Sequence, residues 1–165
     1  MYKVGEFVIY GNEGVCEIED ISELTISEFS KKNNYYTLKP VQDNGKMFVP
    51  IDTNVFMRPI ITYEEIQTVI KQIPLIERVD CSTMNYRVLQ DYYKTLIRSH
   101  HCIDLLKLII NIDDKRTSLM QNRKKLNQID EKFMKMATNL LEDEFSIVLG
   151  IPREKVEEYI KSKIM

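Results

Sequence analysis

Hydrophobic positions along this chain follow one rhythm up to about residue 60 and another beyond it. Glu6-Phe7-Val8-Ile9-Tyr10 is a short apolar and aromatic run. Gly11-Asn12-Glu13-Gly14 follows, and its residues tolerate positive φ, which predicts a turn. In Val15-Cys16-Glu17-Ile18-Glu19-Asp20-Ile21, outward charges alternate with inward apolar groups, the period of a half-buried strand. Ser27 to Asn34 is polar and predicts a loop. Tyr35-Tyr36-Thr37-Leu38-Lys39-Pro40-Val41 is rich in strand formers. Asn44-Gly45 is a strong hairpin signal, and Lys46-Met47-Phe48-Val49-Pro50-Ile51 continues from it. Val55 to Ile60 is a candidate last strand. Five short strands joined by tight turns predict a small, strongly bent sheet or barrel.

From residue 62 the period becomes helical. Thr62-Tyr63-Glu64-Glu65 reads as a capping box, with Thr62 as N-cap and Glu65 at the third helical position. Ile66, Val69, Ile70 and Ile73 then recur at helical spacing, and Pro74 marks a stop. Residues 75–81 read as irregular. A helix is expected over about 83–99, with Met84, Val88, Tyr92, Leu96 and Ile97 inward. Residues 102–112 are apolar nearly all round, as in a buried bundle helix, and 113–125 read as a polar helix or extension that follows. Over 128–149, Ile129, Phe133, Met136, Ala137, Leu140, Ile147 and Val148 make a long apolar face, with Asn127 suited to its start and Gly150 to its end. Pro152 suits the first turn of a last helix, 152–163, with Val156, Tyr159 and Ile160 facing in. The fold class is therefore α+β in two domains: a β-rich module over 1–60 and an all-helical bundle of about five helices over 61–165.

Composition narrows the function classes. The N-terminus has no long apolar run behind it, so no secretory signal is expected. Ile103 to Ile112 is too short for a bilayer, which needs roughly 20 residues, so no membrane partner is expected. Cys16, Cys81 and Cys102 are odd in number and form no CxxC pair, which argues for reduced thiols in a cytosol and against a disulfide framework or zinc site. His100-His101 diverge by about 100° on a helix and converge poorly on a metal. No phosphate-binding Gly loop, nucleophile elbow or HExxH pattern occurs. Glu142-Asp143-Glu144 reads as a solvated helix face and not as an acid/base pair. Neither catalysis nor a cofactor is expected. The net charge of −2 hides an asymmetry: residues 81–125 carry nine Lys/Arg against four Asp/Glu, a net of +5, between acidic flanks. Such a block is either a surface for phosphates or an ordinary solvated face.

Several segments, in order, resemble one family. Val4-Gly5-Glu6-Phe7-Val8-Ile9-Tyr10-Gly11-Asn12-Glu13-Gly14-Val15 resembles the VGD-x-VVY opening, Gly-containing turn and GVG or GVC of CarD-like transcription regulators. Tyr35-Tyr36-Thr37-Leu38 resembles that family's YYxL strand, Met47-Phe48-Val49-Pro50 its xVP strand, and Met57-Arg58-Pro59-Ile60 the segment before its helices. Asp130-Glu131-Lys132-Phe133-Met134 with Ala137 resembles its E-K/R-x-ML…A helix. The resemblance implies a Tudor-like five-stranded barrel that binds the β subunit of bacterial RNA polymerase. It also implies a helical domain that contacts promoter DNA beside the upstream edge of the melted region and acts on the open complex. The same β module occurs in the transcription-repair coupling factor, whose motor this chain lacks, so a standalone, cytoplasmic, nucleoid-associated regulator is implied.

By that resemblance the polymerase-binding residues are Tyr36, Lys39, Lys46, Met47 and Phe48. The basic block falls where the family touches DNA, which points to Arg87, Lys94, Arg98, Lys115, Arg116, Arg123, Lys124 and Lys125. Many members carry a tryptophan wedge near the start of this helix. This chain has no Trp, and the matching stretch offers Met84 or Tyr86 as a smaller wedge. The alternative is a protein–protein adaptor that docks on polymerase without contacting DNA. An exposed sheet edge or apolar helix also offers a route to a homodimer, by edge-strand pairing or domain swapping.

Overall fold

The computed structural model describes residues 1–24, 33–81 and 83–164. The chain divides into two compact units, Met1–Ile60 and Ile61–Met165.

The first unit is a five-stranded antiparallel sheet. Strand β1 is Phe7–Tyr10, β2 Gly14–Leu24, β3 Asn33–Pro40, β4 Met47–Pro50 and β5 Met57–Pro59, in the ladder order β4-β3-β2-β1-β5. The β1–β2 connection is a single 3-10 turn, Gly11–Glu13, entered and left through the positive-φ residues Gly11 and Gly14. Gly11 lies at φ 46°, where a side chain is strained, and a Cβ there would also crowd the Val55 side chain at 3.0 Å, so glycine is favoured. The loop expected over Ser27 to Asn34 falls mostly outside the described residues, and its last two positions open β3. The register between β2 and β3 slips between Ile18 and Asp20, leaving Glu19 in a bulge. Val8, Cys16, Ile18, Tyr36, Leu38 and Val49 form the core.

The second unit is helical. Helix α1 is Tyr63–Gln72, α2 Tyr86–Arg98, α3 Cys102–Gln121, α4 Gln128–Leu149 and α5 Val156–Ile164. Thr62 and Glu65 close the capping box: the Glu65 N–H donates to Thr62 Oγ1 at 3.1 Å, and the Thr62 N–H to Glu65 Oε2 at 2.8 Å. Asn127 caps α4 through the Asp130 N–H, and left-handed Gly150 ends that helix.

The polar stretch after 112 is an extension of the apolar one: residues 102–121 are one helix, since nothing in Asp113 to Met120 stops it and only its exposure changes. Three expectations about the helices are corrected. The inward face of α2 is Leu89, Tyr93, Leu96 and Ile97, while Val88 is 49% exposed and Tyr92 only half-buried. That helix starts at Tyr86, because the Asn85 side chain accepts from the Val88 N–H. The deepest stripe of α4 is Ile129, Phe133, Ala137, Leu141 and Phe145, with Met136, Leu140 and Val148 flanking it.

The carboxylates of α4 are not a solvated face. Asp143 and Glu144 are buried and Glu142 is half-buried. Arg153 lies 3.2 Å from Glu142, lies 3.5 Å from Asp143 and hydrogen-bonds Asn139. Burial raises the Glu142 carboxyl although Arg153 pulls it down. Glu144 accepts from the Ile61 N–H at 2.7 Å and from the Cys102 thiol at 3.3 Å. Such partners are what allow a carboxylate to stay buried.

Candidate functional site

Strand β4 is an edge. It pairs with β3 on one side and has no strand partner on the other among the described residues. Met47 stands opposite Leu38, and Phe48 opposite Thr37. Consecutive strand residues point to opposite faces. Met47 accordingly packs on the core, and Phe48 is 59% exposed. The free N–H and C=O groups of such an edge accept another extended segment, and an exposed aromatic beside them supplies a side-chain anchor.

Lys46 and Lys39 both turn to the bulged Glu19, with ammonium–carboxylate separations of 2.9 Å and 4.0 Å. Exposed pairs of this kind contribute about 0–1 kcal/mol, so they orient the lysines without removing them from a partner's reach. Tyr36 differs from the reading of it as a contact residue. It is 2% exposed, and its hydroxyl accepts from the Tyr2 N–H at 3.2 Å. Its side chain belongs to the sheet core and is closed to a partner.

In the helical unit the basic residues sort into two groups. Lys115 is committed internally: its side chain is 16% exposed, and its ammonium lies 2.7 Å from the fully buried Asp130 carboxylate. It does not belong to a free cationic surface, which corrects its place among the phosphate contacts. Arg116 makes an exposed pair with Asp113 at 3.6 Å. Arg87, Lys94, Arg98, Arg123, Lys124 and Lys125 form no ion pair among the described residues. Arg87, Lys94 and Arg98 stand at i, i+7 and i+11 on α2, within about 40° of one another, a stripe roughly 16 Å long. Asp91 shares that stripe.

Arg123 to Lys125 sit in the turn after α3. Arg123 is left-handed at φ 58°; its N–H donates to the Met120 carbonyl, and the Lys124 N–H to the Leu119 carbonyl. This is the Schellman pattern with arginine where glycine is usual. A side chain in that conformation costs about 1–2 kcal/mol, and glycine's greater freedom in the unfolded chain offsets part of the relief. Arg123→Gly is expected to stabilise the protein by roughly 0.5–1 kcal/mol, read as a Tm about 4 °C higher in thermal unfolding.

The two wedge candidates separate as well. Met84 is half-buried and packs on the helical core, whereas Tyr86 is 64% exposed on the first turn of α2 with Val88 exposed close by. Ser82, in the same stretch, lies outside the described residues.

Residues 2–61 match the family model of the CarD-like/TRCF RID domain. The N-terminal unit belongs to that family. RID denotes an RNA polymerase-interacting domain, and the match takes in all five strands, with both edges of the ladder. The helical unit, apart from its first residue, lies beyond it. Among curated proteins none matches the chain.

Within the RID domain, Glu19 was not among the residues singled out from the sequence. A lone strand carboxylate carries no local signal, and only the bulge brings it to Lys46 and Lys39. Cys16 is packing: burial, with the nearby charge of Glu13, pushes its thiol up to about 12, far from a reactive thiolate at neutral pH. Among the described residues, no helix is long and apolar enough to cross a membrane.

Proposed function

We propose that this protein is a regulator of transcription initiation that docks on the β subunit of RNA polymerase through the β4 edge of its RID domain. Its helical domain contacts promoter DNA near the upstream edge of the melted region and so modulates the stability of the open complex. The observation that carries the reading is an RID match spanning a sheet whose edge strand leaves Phe48 exposed. Lys39 and Lys46 flank the anchor as a cationic rim, and Met47 fixes the strand from behind.

The DNA half of the reading is supported by six cations without ion-pair partners among the described residues. Contacts of this sort release counterions and tolerate many sequences, as a factor serving many promoters needs. Tyr86, exposed at the start of α2, takes the wedge position; apolar and aromatic side chains do insert at base steps.

The test is binding of the full-length protein to the isolated β-subunit lobe. Phe48→Ala is expected to weaken it about tenfold, the loss typical of an interface anchor, with an unchanged melting curve because Phe48 is not core. Absence of binding by the unmodified protein at low salt removes the docking claim.

A further inference from the structure

Asp130 is the most completely buried charge in the helical domain, and three chain segments converge on it. Its Oδ1 accepts the Tyr93 hydroxyl of α2 at 2.7 Å, and its Oδ2 faces the Lys115 ammonium of α3 at 2.7 Å. Its own N–H donates to Asn127 Oδ1 at 2.8 Å, at the start of α4. We infer that the Tyr93–Asp130–Lys115 contact is a positioning device for nucleic-acid binding, which holds the basic turn Arg123–Lys125 in fixed register with the basic stripe of α2. The inference rests on the DNA reading given above and names what sets the geometry of that site.

The turn between α3 and α4 is short and pinned at both ends. The Arg123 and Lys124 N–H groups hold its start to the last turn of α3, and the Asn127 cap holds its end. Asp130 then ties the segment carrying the turn to Tyr93, the chain neighbour of Lys94 in the α2 stripe. Tyr93 is a dependable donor here: burial, and after it the adjacent Asp130 carboxylate, push its hydroxyl well above the usual tyrosine range.

A trio of apolar residues of the same volume would serve stability as well or better, because burying an ion pair forfeits the hydration of both charges. What the polar trio adds is directionality: an ion pair and a hydrogen bond on one carboxylate select one arrangement of α2, α3 and α4. Two groups of cations reinforce each other on a duplex only if both reach phosphates at once, and that gain disappears when their spacing is wrong. Phosphates recur on a regular lattice, so the spacing between the stripe and the turn is the quantity to hold constant.

Tyr93→Phe in the full-length protein removes one hydroxyl, alters no charge and leaves the Lys115–Asp130 pair. Its affinity for a short mixed-sequence duplex is measured over a salt series, below the melting temperature of both proteins. The expected result is a folded protein whose salt slope falls by the equivalent of about one phosphate or more, with several-fold weaker binding at low salt. Asp130→Asn, which strips the charge, is expected to lower the slope further wherever its melting curve shows it folded. If the unmodified protein shows no salt-dependent duplex binding, the DNA reading fails and this inference fails with it. If the unmodified protein binds and Tyr93→Phe keeps its slope while losing only Tm, the contact is structural alone and the positioning role is wrong.

Discussion

Lys115→Met is expected to lower the stability of the protein by about 3–5 kcal/mol, the cost of leaving one member of a buried ion pair without the other. Asp130 is fully buried, and Lys115 is its cation. Methionine fills most of the lysine stem's volume, so little of the loss comes from packing. Tyr93 still donates to Oδ1, but one neutral hydrogen bond does not compensate a buried carboxylate. In a domain of this size each kcal/mol moves Tm by roughly 4–8 °C, so the drop is expected to exceed about 12 °C. Thermal unfolding checks it, and a cycle with Asp130→Asn separates the pair from its parts. If Lys115 were an exposed cation, the single change would cost about 0.5 kcal/mol or less. In the double variant the uncompensated charge is gone, and much of the stability is expected to return.

This pair also marks where sequence reading stops. Local signals came through: Thr62 and Glu65 are three residues apart and close a capping box, and Asn127 caps the helix it precedes. The strand composition led to the sheet and ordered motifs led to the RID family, whereas the β3–β4 turn falls at Val41 and Gln42, closed by the Asp43 N–H on the Pro40 carbonyl, and not at the Asn44-Gly45 pair. What failed was decided by partners far along the chain. Two stripes on α2, one through Val88 and Tyr92 and one through Leu89 and Tyr93, share the helical period and differ by a single position. The choice between them is fixed by packing and by Asp130, 37 residues beyond Tyr93. Glu144 looked solvated because its partner, the Ile61 N–H, lies 83 residues away. The candidate site divides in the same way. Met47 and Phe48 point to opposite faces on strand geometry alone, yet which of them faces out depends on the register with Leu38 and Thr37. Tyr36 and Lys115 carry residue types that suit an interface, and tertiary contacts bury one and occupy the other.

Reversal of the α2 stripe, Arg87→Glu with Lys94→Glu and Arg98→Glu, is expected to weaken binding of the full-length protein to duplex DNA on the order of 100-fold at low salt. The salt slope is expected to fall by about three, one for each phosphate that is no longer neutralised. None of the three side chains belongs to the helical core, and none is in an ion pair among the described residues. Stability is therefore expected to stay within about 0.5 kcal/mol, and the melting curve is the control. The paired cations sharpen the test. Arg116→Glu meets Asp113, which already screens that position, so its effect on the slope is expected to be the smaller per charge. In the proposed reading polymerase binding belongs to the RID domain, so it is expected to be unchanged by all of these substitutions. A triple variant that keeps the parental affinity and slope would remove the DNA role and leave a protein that docks on polymerase to recruit something else. A loss confined to DNA, with polymerase binding intact, assigns the two activities to the two domains.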